Sequence, residues 1–150
     1  MPPAEPRSDS FIENQIGHLL RRAYALARKN SAASLAALGE ISPVQASALA
    51  TLLGGAVTQA ELGRRIGMES ANTHTLIKRM VVMGLIRTRP DAANRRLSLV
   101  EHTAEGRRLA LQLEDVLAGA ASATLAPLST EERTSLIALL KRLIEHDTPD

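Results

Sequence analysis

At 150 residues, with 45% hydrophobic side chains and a net charge of +2, the chain is long enough to bury a core and too apolar to be disordered over most of its length. Cysteine is absent, which excludes a disulfide framework, a thiol sensor and a thiolate metal site, and no apolar run approaches the roughly 18–20 residues that cross a bilayer. One Phe, one Tyr and no Trp leave the core to Leu, Ile, Val, Ala and Met, a set that favours helices.

The opening "MPPAEPRSDS" carries Pro and charge but no apolar stretch. It reads as a disordered tail over residues 1–10 rather than a secretory signal, and the chain reads as cytoplasmic, with no membrane partner. Helix starts are marked by four capping-box patterns: Ser10 with Glu13, Ser42 with Gln45, Thr58 with Glu61, and Ser129 with Glu132. From Ser10, the residues Ile12, Ile16, Leu19, Leu20, Ala23, Tyr24 and Ala27 follow helical spacing. They predict a first helix running to about Leu38 and stopped by Gly39.

A second helix spans Pro43 to Leu53, with Pro43 at the favoured first position and Gly54-Gly55 beyond its end. The third follows Thr58 and closes at Gly67. The fourth begins near Ser70, carries Leu76, Ile77, Met80 and Val81 on one face, and stops at Gly84. A short helix, a tight glycine-containing turn and a second helix make a helix-turn-helix. Leu85 to Arg89 and Leu97 to Val100 then read as two strands around the turn Pro90-Asp91-Ala92-Ala93-Asn94. Thr103 caps a long helix to about Ala121, and a last helix after Ser129 carries Leu136, Leu139, Leu140, Leu143 and Ile144. The fold class is mainly α.

Between Thr58 and Arg96 lie eight bases, Arg64, Arg65, Lys78, Arg79, Arg87, Arg89, Arg95 and Arg96. Only three acids, Glu61, Glu69 and Asp91, oppose them, for a local net of +5 in a chain of +2. On a helix-turn-helix with a hairpin this is the pattern of a surface for double-stranded DNA, where each phosphate neutralised releases counterions. A merely solvated arginine face is the alternative.

The four histidines, His18, His74, His102 and His146, show no i, i+4 pairing that would build a zinc site. No Gly-rich phosphate loop or nucleophile elbow is present. The expectation is a protein with no metal, no cofactor and no enzymatic activity.

The order of elements and the residues themselves resemble the MarR family of bacterial winged-helix transcription regulators, most specifically from Ile41 to Leu109. The matching pieces are "ISPVQASALATL", "TQAELGRRIGM", "LIKRMVVMGLI" and "RTRPDAANRRLSLVEHTAEGRRL", and the likeness covers nearly everything beyond the first ten residues. It implies a single domain over 11–150, a winged helix-turn-helix with a two-stranded wing. Within it, 41–101 would form the DNA-binding lobe, and 11–38 and 103–146 the dimerisation helices. Two positions depart from the family pattern. Its wing usually reads Asp-x-Arg, where this chain has Asn94 and Arg96, so a less rigid wing is expected. Its Leu-Thr before the fifth helix is here His102-Thr103, making His102 either a satisfied core imidazole or a polar group facing a cavity.

The resemblance also implies roles. The fourth helix would enter the major groove with Ala71, Asn72, Thr73, His74, Thr75 and Lys78 near the base edges. Asn72 suits an adenine and a Thr methyl suits a thymine methyl. His74 would donate to a base or phosphate, or simply be solvated. Ser42, Thr58 and Ser70 would meet phosphate or serve only as caps. Arg64 and Arg65 would face backbone phosphates, as would Arg87 and Arg89 along the strand. Arg95 at the wing tip would enter a narrow minor groove, with Arg96 bracing the loop or meeting phosphate.

A homodimer would match a palindromic operator, with Ile12, Ile16, Leu19, Leu136, Leu140 and Leu143 as interface candidates. A small anionic or aromatic effector would bind near His18, Arg21, Arg22, Tyr24 and His102, release the DNA and so relieve repression. The competing class is a winged-helix module for protein–protein contact without specific DNA binding.

Overall fold

The computed structural model describes residues 10–146. The tail expected over 1–10 lies, but for Ser10, outside the described residues, and so does the Ser10 side chain expected to cap the first helix. The elements in chain order are α1 (Ser10–Glu13), α2 (Ile16–Leu35), α3 (Pro43–Leu52), β1 (Val57–Thr58), α4 (Gln59–Ile66), α5 (Ser70–Val82), β2 (Ile86–Pro90), β3 (Ser98–His102), α6 (Ala104–Thr124) and α7 (Thr130–His146). A 3-10 turn, Ala36–Leu38, leads out of α2 to Gly39.

Local signals account for most of these limits. At α3, Ser42 Oγ accepts from the Gln45 N–H (3.3 Å) and Gln45 Oε1 accepts from the Ser42 N–H (2.9 Å), a reciprocal capping box with Pro43 behind it. Ser129 and Glu132 do the same for α7, at 3.2 and 2.8 Å. The Thr58 box is only half made. Its Oγ1 accepts from the Glu61 N–H (3.2 Å), but the Glu61 carboxylate turns instead to two arginines.

The single first helix expected from Ser10 is broken at Asn14-Gln15. There the Gln15 N–H reaches back only to Ile12 O (3.1 Å), and the Leu19 N–H restarts the α-pattern on Gln15 O (2.9 Å). Apolar periodicity does not register one tightened turn, which is why the sequence reads straight through it.

The described residues gather into two compact units, one of residues 10–30 and 120–146 and the other of residues 31–119. In the second unit, β1, β3 and β2 form an antiparallel sheet in that order. The wing hairpin runs in register from Ile86↔His102 to Pro90↔Ser98, and Val57↔Val100 adds the short β1 to its inner edge. β1 carries no sequence signal, because two residues are too few to show alternation. Leu49, Leu62, Met80, Ile86, Val100 and Leu113 are fully or almost fully buried at the centre of this unit. Leu76, Ile77 and Met80 face inward from α5 as expected, but Val81 does not. It is 43% exposed, because the helix turns about 100° per residue and Ile77 with Met80 already fill the inner face.

The start of α6 is tied to the turn after α5. Thr103 Oγ1 donates to Gly84 O (2.6 Å) and accepts from the Gly106 N–H (3.1 Å), while the Thr103 N–H bonds Leu85 O (3.1 Å). Gly106 lies so close to the Leu85 carbonyl that a side chain there would overlap it.

The first unit is of a different kind. Asn30 Nδ2 donates to Thr124 Oγ1 (3.0 Å) and Arg133 Nε to Leu128 O (3.0 Å). Yet among its described residues Ala120 alone is buried. Ile12, Ile16, Leu19, Leu136, Leu143 and Ile144 are all exposed, the last at 71%, and Leu140 is half-buried.

Candidate nucleic-acid interface

The helix-turn-helix is α4, Gly67 and α5. The two helices meet where Gly63 faces Thr73: a Cβ at Gly63 would stand 2.6 Å from Thr73 Oγ1 and 3.1 Å from Met68 O. Thr73 is fully buried by that contact, and its hydroxyl donates to Glu69 O (2.9 Å). The sequence reading that put Thr73 at a base edge is therefore corrected: it is a packing residue of the turn, one helical step off the outer face. Ser70 is also reassigned. Glu69 occupies the cap position, without a side-chain bond, so Ser70 is the first residue of the helix and is exposed.

Ala71, Asn72, His74, Thr75 and Lys78 all lie on the exposed side of α5. Thr75 Oγ1 donates to Ala71 O (3.2 Å), which uses its proton within the helix. His74 Nδ1 sits 3.3 Å from Gln59 Oε1, linking the two helices at the surface. Arg79 completes this face with Asn72 and Thr75, around a hollow of about 220 Å³ that Ser42, Gln45 and Met68 also line. The sequence reading counted Arg79 as charge but gave it no position. The 72, 75, 79 spacing was the available signal.

The arginines divide into paired and free. Glu61 receives Arg64 Nε (2.9 Å) and Nη2 (2.7 Å) together with Arg65 Nε (2.5 Å). Glu101 bridges the wing, taking Arg87 Nε on one oxygen (2.9 Å) and Arg89 Nε on the other (3.0 Å). Among the described residues, Lys78, Arg79, Arg95 and Arg96 have no ion-pair partner. Glu101 was missed because it lies beyond the segment over which charge was summed. Antiparallel register sets it opposite Arg87 from 14 positions away, so the patch holds eight bases against four acids.

At the wing tip the turn closes on itself. Asp91 Oδ1 accepts from the Ala93 N–H (3.0 Å) and Asn94 Oδ1 from the Arg96 N–H (3.2 Å), while the Asp91 N–H reaches Leu97 O (2.9 Å). Asn94, expected to leave the wing less rigid, thus holds the loop through the backbone N–H of Arg96.

The Arg64 and Arg65 guanidiniums, in that order of effect, hold the Glu61 carboxyl down to about 2. Arg89 and then Arg87 likewise hold Glu101 below the ordinary carboxylate range. A carboxyl depressed on folding stabilises the folded state above its unfolded value, and that contribution is lost as pH falls through the folded one. Glu61 is therefore expected to remain ionised at pH 4, and a carbonyl-carbon NMR titration should place its midpoint near 2. A midpoint at the ordinary 4.5 would show that neither arginine holds it in solution.

His102 resolves into both of its readings. The Leu53 N–H bonds Ala50 O (3.2 Å), and His102 Nε2 lies 2.7 Å from Leu49 O in the same last turn of α3. The ring thus caps α3. It also lines a hollow of about 270 Å³ with Leu52, Gly55, Glu101, Thr103 and Arg107. The other residues expected around an effector lie on α2, where His18 is half-buried and Arg21, Arg22 and Tyr24 are exposed.

Comparison with known proteins places this geometry. A model of the MarR family matches residues 40–97. The chain is 27% identical over 139 residues to the HTH-type transcriptional repressor NicR of Pseudomonas putida, covering 91% of this chain and 86% of that one. A crystal structure described as a probable transcriptional regulator from Pseudomonas aeruginosa is 31% identical, with a TM-score of 0.78 over 88% of this chain and 98% of that one. BpsR of Bordetella bronchiseptica, whose DNA binding is regulated by 6-hydroxynicotinic acid, is 25% identical, with a TM-score of 0.81 and coverage of 97% and 100%.

Proposed function

The chain belongs to the MarR family of winged helix-turn-helix transcription regulators, a family of regulators and not of enzymes, and from that premise we propose that it is a cytoplasmic repressor. It binds a palindromic operator as a homodimer and is released by a small anionic or aromatic metabolite. The observation that carries the reading is the wing. Arg95 and Arg96 stand on a loop closed by its own Asx turns, with no acid paired to either among the described residues. Such a tip offers uncompensated charge to the minor groove while Asn72, Lys78 and their neighbours face the major groove.

The homodimer is supported by the first unit, where Ile12, Ile16, Leu19, Leu136 and Leu143 are exposed among the described residues. The effector is supported by analogy with BpsR and by the charge and aromatic character of His18, Arg21, Arg22 and Tyr24 on α2. His102 is a ligand residue only through the hollow it lines, since its Nε2 is already engaged with Leu49 O.

Binding to the chain's own upstream DNA, followed at several salt concentrations, tests the reading. Each phosphate contact contributes about 0.9 to the salt slope, so Arg95→Ala is expected to flatten the slope by about one and to weaken binding roughly tenfold near 0.1 M salt. Binding indifferent to salt, or absent at low salt, would instead favour a protein–protein module.

A further inference from the structure

Half of the eight bases between residues 58 and 96 are held by two carboxylates, each placed between a pair of arginines. Glu61 spans Arg64 and Arg65 at the helix-turn-helix, and Glu101 spans Arg87 and Arg89 on the wing. In both, the two oxygens accept charge-assisted bonds of 3.0 Å or less, the kind of bond an arginine also makes to a phosphate oxygen. The two sites share no sequence pattern. One is built by i, i+3 and i, i+4 spacing on a helix and the other by strand register. The four arginine side chains are 44–67% exposed, so DNA can reach them, and the glutamates are the less exposed partners at 20–29%.

We infer that Glu61 and Glu101 are internal stand-ins for DNA phosphate, which occupy four arginines in the free protein and hold down its affinity for DNA of any sequence. A phosphate that approaches Arg87 and Arg89 meets a pair carrying one net positive charge rather than two, and it must share their donors with an anion already in place. The same holds at Arg64 and Arg65. Lys78, Arg79, Arg95 and Arg96 are left to provide the uncompensated attraction. Since binding to random sequence is almost wholly electrostatic, the two carboxylates weaken the form of binding that would spread the protein over bulk DNA. This inference rests on the DNA-binding reading above.

The test compares wild type, Glu101→Gln, Glu61→Gln and the control Glu131→Gln on a random-sequence duplex of about 30 base pairs, long enough for two half-sites one turn apart. Glutamine keeps the size and one acceptor while removing the charge. Each of the first two variants is expected to steepen the salt slope by up to about 0.9 and to raise affinity several-fold at 0.1 M salt, with roughly eightfold as the limit for one added phosphate contact. Glu131, exposed on α7 at the far end of the sequence from these pairs, makes the same change in net charge and should leave both quantities at the wild-type level. Circular dichroism on each sample reports the fold, and the two sites stand on separate elements, so loss of structure in one variant leaves the other decisive.

Unchanged or weaker binding by folded Glu101→Gln and Glu61→Gln, with wild type binding the duplex, would overturn the inference alone. In that case the glutamates orient the arginines rather than compete for them. An equal gain in Glu131→Gln would also overturn it, reducing the effect to net charge. Wild type that binds no duplex at low salt would overturn the DNA-binding reading and this inference with it.

Discussion

Gly106→Ala is expected to destabilise the second unit by about 4 kcal/mol, a large share of the roughly 5–15 kcal/mol that holds a domain of this size together. In an ordinary helix the same change stabilises by about 1 kcal/mol, because alanine loses less backbone freedom than glycine. Here the added methyl would overlap the Leu85 carbonyl oxygen and stand 2.7 Å from its carbon. The first turn of α6 cannot simply back away. The Thr103 N–H to Leu85 O, Thr103 Oγ1 to Gly84 O, and Gly106 N–H to Thr103 Oγ1 all hold it in place. Moving the turn breaks bonds worth about 1 kcal/mol each, and overpacking adds about 1–3 kcal/mol. Urea unfolding of the two proteins measures the difference. A variant as stable as wild type would mean that this junction yields at little cost.

The second large effect concerns the first unit. Leu136→Glu with Leu143→Glu is expected to convert a dimer to a monomer at micromolar concentration and to weaken operator binding on the order of a hundredfold or more, since a monomer reads one half-site instead of two. Leu136 and Leu143 are 36% and 59% exposed in the single chain, one heptad apart on α7. Burying each fully would contribute about 1.5–3 kcal/mol, and a glutamate in its place would bring an unpaired charge into the contact. Sedimentation velocity and duplex binding, run on the same preparation, separate the two effects. A double variant that remains dimeric would move the interface away from α7.

What could be read from the sequence was mostly local. Ser42 with Gln45 and Ser129 with Glu132 fix helix starts within four residues, and Gly67 and Gly84 fix stops, so these limits needed no knowledge of the fold. The wing strands were legible for the same reason. The misreadings share another cause. Thr73 lies among exposed neighbours in sequence and is buried only because Gly63 lets α4 come close. Glu101 joins Arg87 and Arg89 only through strand register. The Asn14-Gln15 break and the two-residue β1 fall below the length at which periodicity shows. For the candidate interface, the types of residue were therefore legible, whereas which of them are paired with acids was set by contacts between distant segments.

The wing has one further consequence, for the protein before it meets DNA. β2 is an outer strand of the three-stranded sheet, with β3 on one side and no strand paired to its other edge among the described residues. Such an edge is a template for any other extended chain, and sheets that expose one are prone to join edge to edge. Along β2 the exposed positions after Ile86 are Arg87, Thr88, Arg89 and Pro90. Arg87 and Arg89 keep one net positive charge beside Glu101, which disfavours a second copy laid against the strand, and the proline interrupts its ladder of donors. A reader of the double helix has to leave this strand uncovered. The arginines proposed to meet phosphate are thereby expected also to disfavour edge-to-edge association of the concentrated protein.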